Sequence, residues 1–215
     1  MKACVIVYPG SNCDRDTYHA LEYVGMKVDY VGLNDELEPY GLIVLPGGFS
    51  YGDYLRPGAV AAREKIAGEI LKAVEKGKLI LGICNGFQIL IEMNLLPGAL
   101  LQNSSGRFVC RWVHLSVSDA VTPFTMYYTR DEVIRLPVAH GFGRYVKVGD
   151  KVRVVFKYLE DVNGSDERIA GIASEDGRIL GMMPHPERAC ESILGGTDGL
   201  KLFQSIVEFL RRESH

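Results

Sequence analysis

The sequence predicts an α/β fold, a three-layer open sheet that is mostly parallel and carries an antiparallel extension. In the N-terminal half, short apolar runs typical of strands buried on both faces alternate with segments of helical periodicity. Beyond Pro97-Gly98, strand-like runs follow one another with little helix between them, which predicts the extension. No linker-like stretch separates the two parts, so we expect residues 1–215 to form a single domain.

Composition excludes several classes of protein. The chain has 215 residues and a net charge of −3, which gives no electrostatic reason to bind nucleic acid or an anionic membrane. No apolar run is long enough to span a bilayer, and the N-terminus enters a predicted strand where a signal peptide would lie. The five cysteines are scattered without a C-x-x-C pair or a zinc-like spacing. We therefore expect free thiols in a reducing cytoplasm and no metal site.

The N-terminal elements follow from apolar runs and the turn residues that interrupt them. Strands are predicted over 3–8, 27–31 and 42–45, and a first helix from a cap at Ser11 or Asn12 to about Val24. The acidic stretch 34–38 is expected to be a solvated turn. A second helix is predicted to begin at Pro57 and end at Gly77, with its apolar side formed by Val60, Ile66, Ile70 and Val74.

A loop rich in glycine and aromatic residues, 46–54, follows the third strand. Loops at the carboxyl ends of parallel strands form the ligand crevice of open α/β sheets. Adjacent glycines, here Gly47 and Gly48, let backbone N–H groups approach a ligand closely. A flexible turn explains the composition equally well, so both interpretations stay open at this point.

The segment Gly82-Ile83-Cys84-Asn85-Gly86 has the pattern of a nucleophile elbow with cysteine as the nucleophile. It lies between a predicted buried strand and a segment of helical periodicity, which is the context that such an elbow requires. The turn exposes the nucleophile, and the helix N-terminus favours a thiolate and offers N–H groups to an oxyanion. The alternative is a buried structural cysteine beside packing glycines.

The C-terminal half reads mainly as strands. Long runs over 108–117, 132–139 and 151–158 predict the antiparallel extension. The runs 169–173 and 179–182 resemble a hairpin around Glu175-Asp176-Gly177. A last helix is predicted after a cap at Thr197 or Asp198.

A base for the cysteine is sought among five histidines. His185 and His140 each follow a predicted strand, whereas His19 lies in a helix, His114 in a strand and His215 at the end. Prolines stiffen the backbone on both sides of His185, and Glu187 lies on the same side of an extended segment. The carboxylate would hold the imidazole in one tautomer and leave the other nitrogen free for a thiol proton. An exposed proline-rich turn with a surface ion pair is the alternative.

Three signatures in this order resemble those of the class I, triad-type glutamine amidotransferases: Pro46-Gly47-Gly48, the Cys84 elbow and His185-Pro186-Glu187. The resemblance implies a flavodoxin-like fold and a glutaminase. Cys84 would form a glutamyl thioester, His185 would transfer protons and Glu187 would orient His185. The backbone N–H groups of Gly48 and Asn85 would form the oxyanion hole.

Longer stretches resemble a narrower family, the glutaminase subunits of the phosphoribosylformylglycinamidine synthases of purine biosynthesis. The stretches are 9–14, 49–56, 103–108 and 139–141. The resemblance implies that the substrate contacts are Gly47, Phe49, Gln88, His140, Gly141 and Phe142. Many members have an acidic residue after the His-Gly pair, and this chain has Phe142 there.

The same resemblance implies partners. Ammonia would pass to a larger synthetase subunit, which uses ATP and magnesium to convert formylglycinamide ribonucleotide to the amidine, and a third small subunit would complete the complex. This chain has no phosphate-binding G-x-x-x-x-G-K-S/T motif, so we expect no cofactor in it. Arg56, Arg107 and Arg144 flank the site loops and would meet an acidic partner face or be ordinary solvated side chains.

Two other functions are compatible with the elbow. A cysteine hydrolase or protein-repair enzyme of a related elbow family usually has its histidine beside the nucleophile, where this chain has Asn85. Turnover of peptides or aldehydes would favour it. A non-catalytic binding subunit is disfavoured by the intact set of Cys84, His185 and Glu187, and failure of Cys84 to react with a glutamine-site electrophile would favour it.

Overall fold

The computed structural model describes residues 1–52, 56–149 and 151–214. Its main element is a nine-stranded mixed sheet. Residues 53–55, which include the end of the predicted ligand loop 46–54, lie outside the described residues, as do Asp150 and His215.

One half of the sheet is parallel. Its strands are β1 (Lys2–Ile6), β2 (Lys27–Val31), β3 (Leu42–Leu45), β4 (Leu79–Ile83) and β11 (Ile179–Met182). The central strands are buried along their whole length, which explains their continuous apolar runs. Their order, with β11 as the fifth strand, is the 2-1-3-4-5 order of flavodoxin-like folds.

The other half is the predicted antiparallel extension. It consists of β6 (Val109–Val117), β7 (Val133–His140), β9 (Arg153–Tyr158) and β10 (Ile169–Ala173). Strand β11 joins the halves, because it pairs in parallel with β4 and antiparallel with β10. The order of the strands across the sheet is β2-β1-β3-β4-β11-β10-β9-β6-β7. In the described sheet only β10 and β6 run against the other strands, so the prediction of a mostly parallel sheet with an antiparallel extension is confirmed.

Four helices are described: α1 (Asp14–Tyr23), α2 (Ile66–Glu75), α3 (Asn85–Glu92) and α4 (Leu200–Glu213). The connections β1-α1-β2 and β3-α2-β4 run in opposite directions along the sheet, so right-handed crossovers place α1 and α2 on opposite faces. Helix α4 packs against α1. No helix among the described residues has the length and apolarity that a membrane crossing requires.

The predicted helix from Pro57 begins later than expected. Residues 57–60 form turns, a short 3-10 segment covers Ala61–Arg63, and α2 starts at Ile66. Gly58 has φ +81°, and a Cβ there would lie 2.8 Å from the backbone nitrogen of Ile89 in α3. This close approach prevents a regular helix, and Val60 is 39% exposed where the sequence predicted a core position.

Other differences concern helix ends and short strands. Cys13 and Gly199 precede α1 and α4 without a side-chain cap, so the predicted caps are wrong. Ser11 and Asp198 use their side-chain oxygens to accept hydrogen bonds from the N–H groups of Tyr8 and Arg135. In the acidic stretch 34–38, Leu37 is buried in the core. Two unpredicted three-residue strands, β5 (Ala99–Leu101) and β8 (Arg144–Val146), form a separate antiparallel pair.

Candidate active site

Cys84 lies in a sharp turn between β4 and α3. Its backbone has φ 50° and ψ −103°, a region that costs a residue with a side chain roughly 1–3 kcal/mol. Packing around the turn enforces this conformation. A Cβ on Gly82 would lie 2.7 Å from the carbonyl oxygen of Gly86, and a Cβ on Gly86 would lie 1.9 Å from that of Leu45. Both glycines of the motif are therefore required by backbone contact.

His185 follows β11, the strand next to β4, at the same end of the sheet as Cys84. Its N–H donates to the carbonyl of Pro137 on β7 at 2.8 Å, and its Nδ1 donates to Oε1 of Glu187 at 2.6 Å. The two side chains meet at the start of a 3-10 segment, Pro186–Arg188, whereas the sequence predicted an extended segment. Both are 1% exposed, so the alternative of a surface ion pair is wrong.

The two buried histidines have opposite electrostatic environments. Burial alone would lower the pKa of His185, but the Glu187 carboxylate and the thiols of Cys84 and Cys13 raise it well above the usual range. Burial, with the nearby charge of His185, lowers the pKa of His140 to about 4. At neutral pH the site therefore favours an imidazolium at His185 beside a neutral His140.

The predicted oxyanion loop is held by the turn that follows β1. The Cys13 N–H donates to the Gly47 carbonyl at 3.2 Å, and the Phe49 N–H donates to the Gly10 carbonyl at 2.9 Å. Gly48 has φ +147°, and a Cβ there would lie 2.9 Å from the Asn12 nitrogen. Among the described residues, no group accepts a hydrogen bond from the N–H of Gly48 or of Asn85. Both N–H groups are thus available to an anion.

A chain of side-chain hydrogen bonds connects three walls of the site. The Ser50 N–H donates to Oδ1 of Asn85 at 3.2 Å, and Nδ2 of Asn85 donates to Oε1 of Gln88 at 2.9 Å. Nε2 of Gln88 then donates to the Phe142 carbonyl at 2.8 Å. In this arrangement the buried amide of Gln88 holds the oxyanion loop, α3 and the 140–143 loop together.

His140 lies at the end of β7, with its ring against a second polar network. Asn103 accepts from Nδ1 of His140 at 3.1 Å and from the Gly143 N–H at 3.0 Å, and it donates to the His140 carbonyl at 2.9 Å. His140 Nε2 has no hydrogen-bond partner among the described residues. This network fixes the 140–143 loop, in which the sequence predicted substrate contacts.

The remaining predicted contacts lie at the rim. Phe49 is 39% exposed, and its ring centroid lies 6.3 Å from that of Phe108. Gly141 lies beside Phe108, and a Cβ there would be 3.7 Å from its ring. The structure therefore places the predicted substrate residues around one crevice at the carboxyl ends of β3, β4 and β7.

Two residues at the site were not identified as functional from the sequence. The sulfur of Cys13 accepts a hydrogen bond from Nη2 of Arg188 at 2.8 Å, and Nε of Arg188 contacts Oδ2 of Asp16 at 3.2 Å. Cys13 follows β1, which ends at the same edge as β3 and β4, so the crevice rule could have found it. Its sulfur, a ring nitrogen of His185 and a carboxylate oxygen of Glu187 lie within 4.8 Å of one another.

The assembled groups suit acyl transfer. A thiol on a strained elbow, an imidazole held by a buried carboxylate, and two N–H groups without partners are the parts of a cysteine-based triad. The Cys84 thiol makes a long hydrogen bond to the Ala139 carbonyl, 3.7 Å from the sulfur. Cys84 is 5% exposed, so the turn does not expose the thiol to solvent as the motif predicted.

Comparison with known families agrees with this chemistry. Residues 1–209 match the family described as the CobB/CobQ-like glutamine amidotransferase domain.

Two curated proteins are similar to the chain along nearly its whole length, and both are named phosphoribosylformylglycinamidine synthase subunit PurQ. The protein from Thermotoga maritima is 68% identical over 98% of this chain and 99% of its own length. The protein from Pyrococcus horikoshii is 50% identical over 99% of this chain and 100% of its own length. A solved structure described as PurLQS from Thermotoga maritima contains a similar chain, with a TM-score of 0.96 and 68% identity over 97% of this chain and 98% of that one.

Proposed function

The chain belongs to the CobB/CobQ-like glutamine amidotransferase family, and we propose that it is the glutaminase subunit of a phosphoribosylformylglycinamidine synthase. The observation that carries this proposal is the joint presence of the Cys84 elbow and the buried His185–Glu187 pair in a chain 68% identical, over nearly its full length, to a PurQ subunit. Membership of the family supports the reaction class. The similarity to PurQ subunits along nearly their whole length supports a role in purine biosynthesis.

The first half of the reaction is thioester formation. The Cys84 sulfur attacks the side-chain carbonyl carbon of glutamine, and the proton of the thiol is held by His185. Collapse of the tetrahedral intermediate breaks the carbon–nitrogen bond, and His185 protonates the departing nitrogen, which leaves as ammonia. The raised pKa of His185 supports this role, because it keeps the imidazolium populated at neutral pH.

The second half is hydrolysis of the thioester. Water attacks the same carbon, His185 takes a proton from that water, and the carbon–sulfur bond breaks to release glutamate and the Cys84 thiol. Glu187 bonds the Nδ1–H of His185, which fixes the tautomer and leaves Nε2 to exchange protons with sulfur and water. In both halves the negative oxygen would be held by the N–H groups of Gly48 and Asn85.

The complex that receives the ammonia is part of the proposal. Free ammonia released far from its acceptor would be lost, so we expect the chain to act in a complex with a synthetase that uses the ammonia. A larger subunit would use ATP and magnesium to convert formylglycinamide ribonucleotide to the amidine, and a third small subunit would complete the assembly. The relatives' names and the PurLQS structure support these partners. All five cysteines are free, which supports a cytoplasmic location.

Substitution of the nucleophile tests the proposal. We expect the Cys84→Ala complex to lose glutamine-dependent synthesis of the amidine and to retain synthesis from ammonium salts, because the synthetase step does not need the thiol. The Cys110→Ala complex, which removes an exposed thiol, is the control and should keep both activities. Loss of both activities in Cys84→Ala, or retention of both, would overturn the proposal.

A further inference from the structure

We propose that Cys13, His185 and Glu187 form a binding site for Zn²⁺, and that zinc bound there inhibits glutamine hydrolysis. The three residues come from the turn after β1 and the segment after β11, which the sheet brings to one edge. One sulfur, one ring nitrogen and one carboxylate oxygen lie within 4.8 Å of one another. Cys13 has no role in the thioester chemistry, so the site is more than the catalytic triad.

The donor set fits zinc, which replaces the proton on His185 when it binds. Zn²⁺ binds thiolate sulfur, imidazole nitrogen and carboxylate oxygen in tetrahedral sites, with metal–ligand distances of about 2.0–2.3 Å. Neighbouring donors in such a site are about 3.5 Å apart, so the observed cluster closes around an ion after side-chain shifts of about 1 Å. Three protein ligands leave a fourth position, which water or the Cys84 sulfur would fill.

Two buried polar atoms of this cluster have no hydrogen-bond partner among the described residues, as a ligand site would require. These atoms are Nε2 of His185 and Oε2 of Glu187. The two residues are 1% exposed, and Cys13 is 2% exposed. Gly47 packs between them, since a Cβ on it would lie 2.8 Å from Cε1 of His185 and 3.1 Å from the Cys13 sulfur. His185 and Cys13 are therefore held close together on either side of Gly47.

Arg188 sets the affinity of the site. Its guanidinium donates to the Cys13 sulfur at 2.8 Å, so zinc must displace this cation from the sulfur. The same guanidinium already contacts Asp16, which can retain it after displacement. We therefore expect reversible inhibition and not a permanently occupied site, and we expect the Arg188→Gln complex to be inhibited at lower zinc concentrations.

Inhibition follows from the ligands that zinc takes. A metal on His185 occupies a nitrogen that either exchanges protons with sulfur or bonds Glu187, so proton transfer stops in either case. The partner synthetase does not depend on this residue. Zinc should therefore block the glutamine-dependent reaction of the complex and spare the ammonia-dependent one.

The first experiment is inhibition of the complex by ZnCl₂, buffered with a weak chelator. We expect the zinc concentration for half-inhibition to rise roughly tenfold or more in Cys13→Ser, which keeps nearly the same shape but removes the sulfur ligand. The Cys110→Ser complex is the matched control and should behave as the unsubstituted complex does. Equal sensitivity of Cys13→Ser and the unsubstituted complex would mean that zinc acts through Cys84 and His185 alone, and would overturn the proposal.

The second experiment does not depend on activity or on the proposed function. X-ray absorption of zinc bound to the Cys84→Ala chain should show one sulfur ligand, and that sulfur should disappear in the Cys84→Ala/Cys13→Ser chain. A zinc shell of nitrogen and oxygen alone in Cys84→Ala, or no binding, would refute the site. If Cys13→Ser does not fold, the Cys84→Ala/Cys110→Ser chain decides the question, because it removes the exposed thiol and should keep the sulfur ligand.

Discussion

Glu187 controls the protonation of the site. Its carboxylate is buried, accepts the Nδ1–H of His185 at 2.6 Å and raises the pKa of that histidine against the effect of burial. A buried imidazolium without a counter-charge would be costly. In the proposed mechanism, the acid that protonates the leaving ammonia is therefore present at neutral pH because of Glu187.

Replacement of this carboxylate should impair turnover and shift its pH dependence. We expect Glu187→Gln to lower the glutaminase kcat by about 10²–10⁴-fold. The pKa of His185 should fall, so the loss of activity with rising pH should begin at lower pH. Glutaminase rates of the complex as a function of pH measure both effects. Glu191→Gln removes a carboxylate from the partly exposed His19 pair and should change neither; an unshifted profile in Glu187→Gln would contradict the assigned role.

At the scale of single residues, the sequence identified groups that local motifs define. The nucleophile lies between two glycines at fixed spacing, and His185 and Glu187 are two positions apart, so both are visible without the fold. Cys13 and Arg188 are 175 positions apart and meet only because β1 and β11 end at one edge. Their sulfur–guanidinium contact could not be predicted from spacing.

The elbow is the element in which sequence and packing are most tightly linked. Gly82 and Gly86 allow β4 and α3 to approach each other and β3 more closely than side chains permit. The apolar runs on either side predicted both elements because they are buried continuously. By contrast, α2 begins later than predicted, because Gly58 packs on the backbone of α3. Strands β5 and β8 were not predicted, because three residues are too few to show an alternation of apolar and polar side chains.

Two glycine substitutions should have opposite effects on stability. In Gly86→Ala the new methyl group would overlap the Leu45 carbonyl, so we expect a loss of at least about 3 kcal/mol in the free energy of unfolding. Gly68 lies inside α2, is exposed, and has open space around its Cα, so Gly68→Ala should gain about 1 kcal/mol. Urea denaturation measures both, and comparable stabilities would contradict the packing of the elbow.

For the molecule as a whole, the site lies where the parallel and antiparallel halves meet. Cys84 belongs to the parallel half, His140 ends a strand of the antiparallel half, and His185 follows the strand that joins them. Buried apolar strands in the first half predicted a parallel sheet there. The order of the strands and the register of the extension could not be predicted, because they depend on long-range pairs such as Val109 with His140.

Burial of His140 should make global stability depend on pH. Its pKa is about 4 in the folded chain and about 6.5 when unfolded, so only the unfolded chain takes up this proton between those values. Holding His140 neutral in the folded chain therefore costs almost nothing above pH 6.5. The free energy of unfolding falls as the pH drops from 6.5 toward 4. We expect His140 to account for a loss of about 2 kcal/mol between pH 7 and pH 5.

Urea denaturation at the two pH values measures this contribution. The His140→Gln chain should be less stable at pH 7 but should lose less stability on going to pH 5 than the unsubstituted chain. His19→Gln, at an exposed position, serves as the control and should keep the original dependence. An identical pH dependence in His140→Gln and the unsubstituted chain would show that His140 is not held neutral by burial.

The order of the site residues along the chain has a consequence for biosynthesis. Cys84 leaves the ribosome about 100 residues before His185, and the segment that carries His185 and Glu187 is packed against the residue preceding α4, with Gly199 in contact with the Pro186 carbonyl. A nascent chain therefore carries the thiol without its base. We expect the site to assemble only after α4 has been translated and has docked, so that an unfinished subunit releases no ammonia.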